Sequence, residues 1–166
     1  MVFEVKPIGF AYRVDHEKAI IEVLKEYAEC LDKVNHFSHL VVIYWMNRVT
    51  DELRRVIRIR PKHFKTPRLG VFATRFPARP NPIGVTTVKL IERRGRKLLV
   101  DGLDAEDNTP IIDIKPYIPV FDKPRGRVKL PLWVKRHLKE HHHDYHHPHT
   151  FEELLKLVEL ELKPLA

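Results

Sequence analysis

The chain is 166 residues long and carries 30 lysines and arginines against 22 aspartates and glutamates, a formal charge of +8. That length points to one main domain with a real core, the basic excess favours a polyanionic partner such as nucleic acid, and a single cysteine, Cys30, excludes an intrachain disulfide. The longest apolar run, Leu40 to Met46, is too short to span a membrane, and no leader pattern opens the chain, so the sequence predicts a cytoplasmic protein with no membrane partner.

In chain order, Val2 to Gly9 reads as an opening strand. Ile20, Ile21, Leu24, Tyr27, Ala28, Leu31 and Val34 then recur at helical spacing behind Asp15 as N-cap, although Ile20 to Leu24 also fits a short strand. Phe37 to Met46 (FSHLVVIYWM) is aromatic and β-branched without polar alternation after His39, the pattern of a strand covered on both faces. Leu53 to Arg60 (LRRVIRIR) nearly alternates apolar and arginine positions, as a strand with one wet, basic face does, and Lys62, His63, Lys65 and Arg68 extend the charge.

The segment FATRFPARPNPIG, Phe72 to Gly84, holds Pro77, Pro80 and Pro82, which fix their own φ and push the preceding residues toward extended geometry. Side chains on so stiff a loop, Arg75, Arg79 and Asn81, are held at low entropic cost. Val85 to Glu92 and Lys97 to Asp101 form strands joined by a hairpin around Gly95, and Ile111 to Ile114 is another strand. Short strands with one early helical pattern predict a mainly β protein with a short early helix, an antiparallel barrel or sandwich, with a closed barrel expected. The barrel domain is expected over 1–134, a histidine-rich linker over 135–149 and an amphipathic helix over 150–166. Thr150 and Glu153 form the capping box of that helix, and Phe151, Leu154, Leu155, Val158 and Leu162 its apolar stripe.

His141, His142, His143, His146, His147 and His149 are possible metal ligands, but their spacing matches no structural zinc pattern, and no metal site is assigned. Cys30, on an apolar helical stripe, and Ser38, beside a buried strand, are poor nucleophiles. The six glycines never fall two apart, which excludes a Rossmann phosphate loop. What remains is a polar set at strand ends: Arg75, Arg79, Asn81, Asp101, Asp104, Asp113 and Lys115. It reads either as a site for a zwitterionic ligand or as an internal salt-bridge lattice.

FSHLVVIYW, GVFATRFPARPNPIG and DGLDAEDNTPIIDIKPYIP, lying between about Val2 and Pro119, resemble the TsaA-like (TrmO) family of tRNA adenine N6-methyltransferases. The resemblance implies a non-Rossmann β-barrel enzyme that uses S-adenosyl-L-methionine, forms a homodimer, and methylates N6 of threonylcarbamoyl-adenosine beside the anticodon of tRNA. By motif position it implies cofactor contacts at Asn47, Arg48, Arg75, Val85, Asp101, Gly102, Leu103 and Asp104. It leaves Asp113, Arg79 and Asn81 for catalysis, with Asp113 as acceptor of the amine proton. Lys115 and Tyr117 are expected to close the substrate pocket, and Arg54, Arg58, Arg60, Lys62 and Lys65 to grip tRNA phosphates. This chain departs from relatives in carrying AYRVDHEK where some have a cofactor-binding Pro-Arg-Gln, Asn47-Arg48 for a His-Gln pair, and the histidine-rich tail for a longer C-terminal domain. Methylation of another RNA or a small metabolite, and a non-catalytic metal-responsive module, are the alternative readings.

Overall fold

Inward-facing small residues let the first strands meet closely. In the computed structural model, which describes residues 1–62, 66–140 and 150–165, β1 (Gly9–Arg13) pairs antiparallel with β2 (Lys18–Val23). Ala11, Ala19, Ile21 and Val23 point into the core. The opening strand thus begins where the sequence reading ended it: residues 2–7 are exposed, and Gly9 is the first β1 residue. The helical spacing read over 20–34 also divides. Its first part is β2, because alternation of Ala19, Ile21 and Val23 buries one face of a strand. The rest forms 3₁₀ turns at Lys25–Leu31 and Val34–His36.

β3 (His39–Trp45) buries Leu40, Val42 and Tyr44, whereas Val41, Ile43 and Trp45 on its other face are half-buried. It is therefore covered fully on one face, not both. After a 3₁₀ turn at Leu53–Arg55 come β4 (Val56–Pro61) and the short β5 (Leu69–Gly70). β6 (Ile83–Arg94), β7 (Lys97–Asp101) and β8 (Thr109–Pro116) follow, with Arg94 opposite Lys97 across the hairpin expected at Gly95. The strands close in the order β1-β2-β7-β6-β3-β8, and β8 returns to β1. Side chains, among them Leu98, Val100, Leu103 and Ile111, fill the interior of this small barrel.

Among the described residues, the C-terminal part holds three short helices: α1 (Pro119–Asp122), α2 (Leu132–Glu140) and α3 (Phe151–Lys156). Both arms of the α3 capping box form: Glu153 N–H donates to Thr150 Oγ1 at 3.3 Å and Thr150 N–H to Glu153 Oε2 at 2.8 Å. The helix expected to run through Leu162 stops at Lys156, however, and the chain continues as β9 (Val158–Leu162), paired with β4. A second sheet results, in the order β5-β4-β9, packed on Phe76, Ala78, Val71, Leu154 and Leu155.

Backbone packing divides the chain into two compact units, one of Met1–Met46 with Ile83–Arg125, the other of Asn47–Pro82 with Gly126–Ala166. The first is the barrel and the second holds the three-stranded sheet. Among the described residues no helix is long and apolar enough to cross a membrane.

Candidate active site

At one rim of the barrel lie the β1–β2 turn, the end of β3, the start of β6, and the β7–β8 loop, which carries Gly102, Leu103 and Asp104. That loop is tethered residue by residue. Gly102 N–H donates to the Glu17 carbonyl at 2.9 Å, and its φ of +83° is one that a side chain rarely tolerates. Leu103 and Ala105 are buried in the core, so the intervening Asp104 is exposed. The Arg13 guanidinium donates to the Leu103 carbonyl at 2.7 Å, and Arg13 N–H to Asp107 Oδ1 at 2.9 Å. Tyr44 hydroxyl donates to the Asp104 carbonyl and lies 3.1 Å from Thr86 Oγ1.

Asp101 is half-buried at the end of β7 opposite Lys18 and Lys89, and Val85 is exposed opposite Ile43. Asp113 lies farther along β8. Its Oδ1 accepts the Ile114 N–H at 2.9 Å, and its Oδ2 meets Lys115 Nζ at 2.5 Å, a bond that raises the ammonium of Lys115 above its ordinary value. With Ile8, Val23, Leu31, Phe37 and others it lines a largely apolar cleft of about 370 Å³ at the opposite rim. Within one chain Asp113 therefore does not meet the Asp101–Asp104 loop. Tyr117 N–H donates to the His39 carbonyl at 3.0 Å at that same far rim.

The remaining sequence candidates belong to the second unit. Phe76, Ala78 and Pro82 are buried, which anchors the stiff loop and leaves Arg75 and Asn81 exposed and Arg79 half-buried. Thr74 braces its start, donating from Oγ1 to the Val71 carbonyl at 2.8 Å and accepting the Phe76 N–H at 3.2 Å. Asn47 and Arg48 are exposed. The basic strand is less available than its sequence suggests: Arg54 spans the Pro80 carbonyl at 2.9 Å and Asp51 at 3.3 Å, Arg58 pairs with Glu161 at 3.5 Å, and Lys62 Nζ donates to the Lys156 carbonyl at 3.0 Å. Arg60 is exposed opposite Glu159. Basic side chains not singled out from sequence, Arg127, Lys129 and Lys135, line a cleft of about 470 Å³ with Val128 and Leu130.

Lys65 and the histidines at 141–149 lie outside the described residues. Among the described ones, no group of three or more metal-ligating side chains occurs. Cys30 is exposed, contrary to the buried position its apolar neighbours suggested, because the 3₁₀ turn at Lys25–Leu31 rotates it off the core that Leu31 enters. Sequence reasoning missed Arg13, Tyr44 and Thr86. Only strand register reveals that Tyr44 stands opposite Gly84.

Fold and rim together define a closed-barrel protein whose β7–β8 loop is held by hydrogen bonds and exposes an acidic side chain, Asp104. Residues 9–123 match the family model described as the tRNA-methyltransferase O N-terminal domain, and the chain belongs to that family. It is 44% identical over 110 residues to a probable S-adenosyl-L-methionine-binding protein of Archaeoglobus fulgidus, covering 66% of this chain and 29% of that one. A protein of the same description from Pyrococcus abyssi is 43% identical over 118 residues, 71% of this chain and 61% of that one. The tRNA (adenine(37)-N6)-methyltransferase of Mus musculus is 32% identical over 115 residues, 67% of this chain and 26% of that one. The chain thus spans less than two thirds of the length of each of these relatives. Among solved structures, TrmO from Pseudomonas aeruginosa superposes with a TM-score of 0.59 at 25% identity, covering 95% of this chain and 80% of that one.

Proposed function

We propose that the protein is an S-adenosyl-L-methionine-dependent tRNA methyltransferase acting on N6 of adenosine beside the anticodon, with threonylcarbamoyl-adenosine as the preferred base. The carrying observation is the tethered β7–β8 loop, which lies within the residues that match the family. Its donor set fits the cofactor. A trans peptide sets its N–H opposite its C=O; with the Leu103 and Asp104 carbonyls bound by Arg13 and Tyr44, the N–H groups of Asp104 and Ala105 are turned the other way. Beside them the Asp101 and Asp104 carboxylates can accept from ribose hydroxyls or an ammonium group.

Val85, Asp101, Gly102, Leu103 and Asp104 are the residues we assign to the cofactor from the barrel, and Asn47, Arg48 and Arg75 from the second unit, the latter three on motif position alone. Bound there, S-adenosyl-L-methionine supplies an electrophilic methyl group. The chain's own work is orientation: a loop already fixed by hydrogen bonds loses little further freedom when ligand arrives, which favours productive alignment. Arg79 and Asn81 are assigned to substrate on the same basis; Asp113, paired with Lys115 at the opposite rim, lies away from the cofactor loop of its own chain and is not assigned the departing amine proton. Exposed Arg60, the basic cleft at Arg127, Lys129 and Lys135, and partly engaged Arg54, Arg58 and Lys62 supply phosphate contacts, whereas Lys115 and Tyr117, at the far rim, are assigned no contact with a base held at this loop. Exposed Ile83, at the start of β6, is the apolar surface we assign to the homodimer.

The test is incubation of the protein with methyl-labelled cofactor and tRNA carrying or lacking the threonylcarbamoyl group, followed by nucleoside analysis. Label in N6-methylated adenosine is expected, strongest on the modified tRNA. Absence of label from both tRNAs refutes the reading.

A further inference from the structure

We infer that Tyr44, with Gly84 beneath its ring and Thr86 beside its hydroxyl, is a positioning residue that sets the two amide donors of the cofactor loop. The inference rests on the cofactor assignment above and adds what makes the loop competent to bind.

Tyr44 is 4% exposed, and β3–β6 register sets it directly opposite Gly84. A Cβ at position 84 would lie 2.1 Å from Tyr44 Cε2 and 2.3 Å from Cζ, so the ring rests on bare backbone that only glycine provides. This seat lets the hydroxyl leave the core and reach the loop. There it lies 3.1 Å from Thr86 Oγ1 and donates to the Asp104 carbonyl. A phenol has one proton, and a carbonyl can only accept, so Thr86 must be the donor in its bond to Tyr44. The resulting chain, Thr86 to Tyr44 to Asp104, has a fixed direction.

Arg13 holds the preceding carbonyl, that of Leu103, at 2.7 Å. Two consecutive peptide planes are thereby pinned by their oxygens, from a strand on either side of β8 in the closed order. Because each N–H opposes its own plane's oxygen, Tyr44 sets the Ala105 donor and Arg13 the Asp104 donor. Among the described residues, neither N–H has a backbone or side-chain partner. Removing one hydroxyl would free one plane to rotate while the Leu103 and Ala105 anchors keep the fold.

The experiment compares wild type, Tyr44→Phe, Thr86→Val and Asp104→Ala by calorimetry with S-adenosyl-L-methionine and by steady-state methylation of tRNA. Tyr44→Phe should raise Kd and KM for the cofactor about tenfold, the loss of one well-placed hydrogen bond, while kcat and KM for tRNA stay within about twofold. Thr86→Val should show the same split at roughly threefold. Hydrogen exchange across β1–β8 should be unchanged in both variants, which confines the effect to the loop. A merely structural role would instead lower the active fraction, reducing kcat with cofactor KM unmoved, and that result overturns the inference. So does unchanged cofactor affinity in Tyr44→Phe while Asp104→Ala weakens binding. If Asp104→Ala and Tyr44→Phe both leave affinity unchanged, the loop is not the cofactor site and the underlying assignment fails with it. Should Tyr44→Phe not fold, Thr86→Val decides alone, with unchanged cofactor KM counting against.

Discussion

Gly84 closes the motif ARPNPIG, and from the sequence it reads as the end of a stiff loop. Its reason is packing. Since any side chain at 84 must displace the Tyr44 ring from a well-packed core, Gly84→Ala is expected to cost about 1–3 kcal/mol, measured by urea denaturation, and to weaken cofactor binding as Tyr44→Phe does. Asp15 shows a different kind of local determinant. Its carboxylate accepts the Lys18 N–H at 2.7 Å and the Glu17 N–H at 2.9 Å, and these bonds hold it below its ordinary value. A depressed carboxylate stabilises the folded chain above its unfolded value and loses that contribution as pH falls through its folded one. The gap in Tm between wild type and Asp15→Asn should therefore be present at neutral pH and close on acidification. Sequence alone placed Asp15 as a helix N-cap; it caps the β1–β2 turn, because a short acidic side chain serves any run of unpaired N–H groups.

At the scale of elements, β6 and β7 were legible because the turn at Gly95 has its own chemistry, whereas β1 begins where the sequence pattern ends and in β2 the alternation of Ala19, Ile21 and Val23 competes with a helical spacing that runs on to Val34. The C-terminal segment was ambiguous for a physical reason. Val158 and Leu162 fit a helical stripe running on from Leu154 and Leu155, yet Val158, Leu160 and Leu162 also alternate with Glu159 and Glu161. The tie is broken outside the segment, by β4, which sets Arg58 against Glu161 and Arg60 against Glu159. Glu161 is also 2.7 Å from Arg68. Reversing its charge puts three cations together, so Glu161→Arg should destabilise the second unit by about 1 kcal/mol, read as a lower denaturation midpoint that recovers in high salt. The candidate residues themselves were legible only as motif, since nothing in a sequence tells which arginines will be spent on carbonyls, as Arg13 and Arg54 are.

For the whole molecule, the proposed tRNA binding, with a formal charge of +8 behind it, should weaken linearly on logarithmic axes as salt rises. Arg127→Ala with Lys129→Ala and Lys135→Ala should reduce that slope by about 2–3 in filter binding, on a slope near 0.9 per neutralised phosphate, while cofactor affinity is untouched. A different consequence follows from the register Trp45–Ile83. These two residues face each other, yet the chain between them makes the long excursion that begins the second unit. Barrel closure must therefore await a distant encounter, although in space β3 and β6 form a simple hairpin. Splicing Trp45 to Ile83 through a two-residue Asn-Gly turn would turn that encounter into a local one, lowering contact order and the entropy of loop closure. The spliced barrel should refold faster than the full chain, by stopped-flow fluorescence of Trp45, and keep its β-sheet circular dichroism.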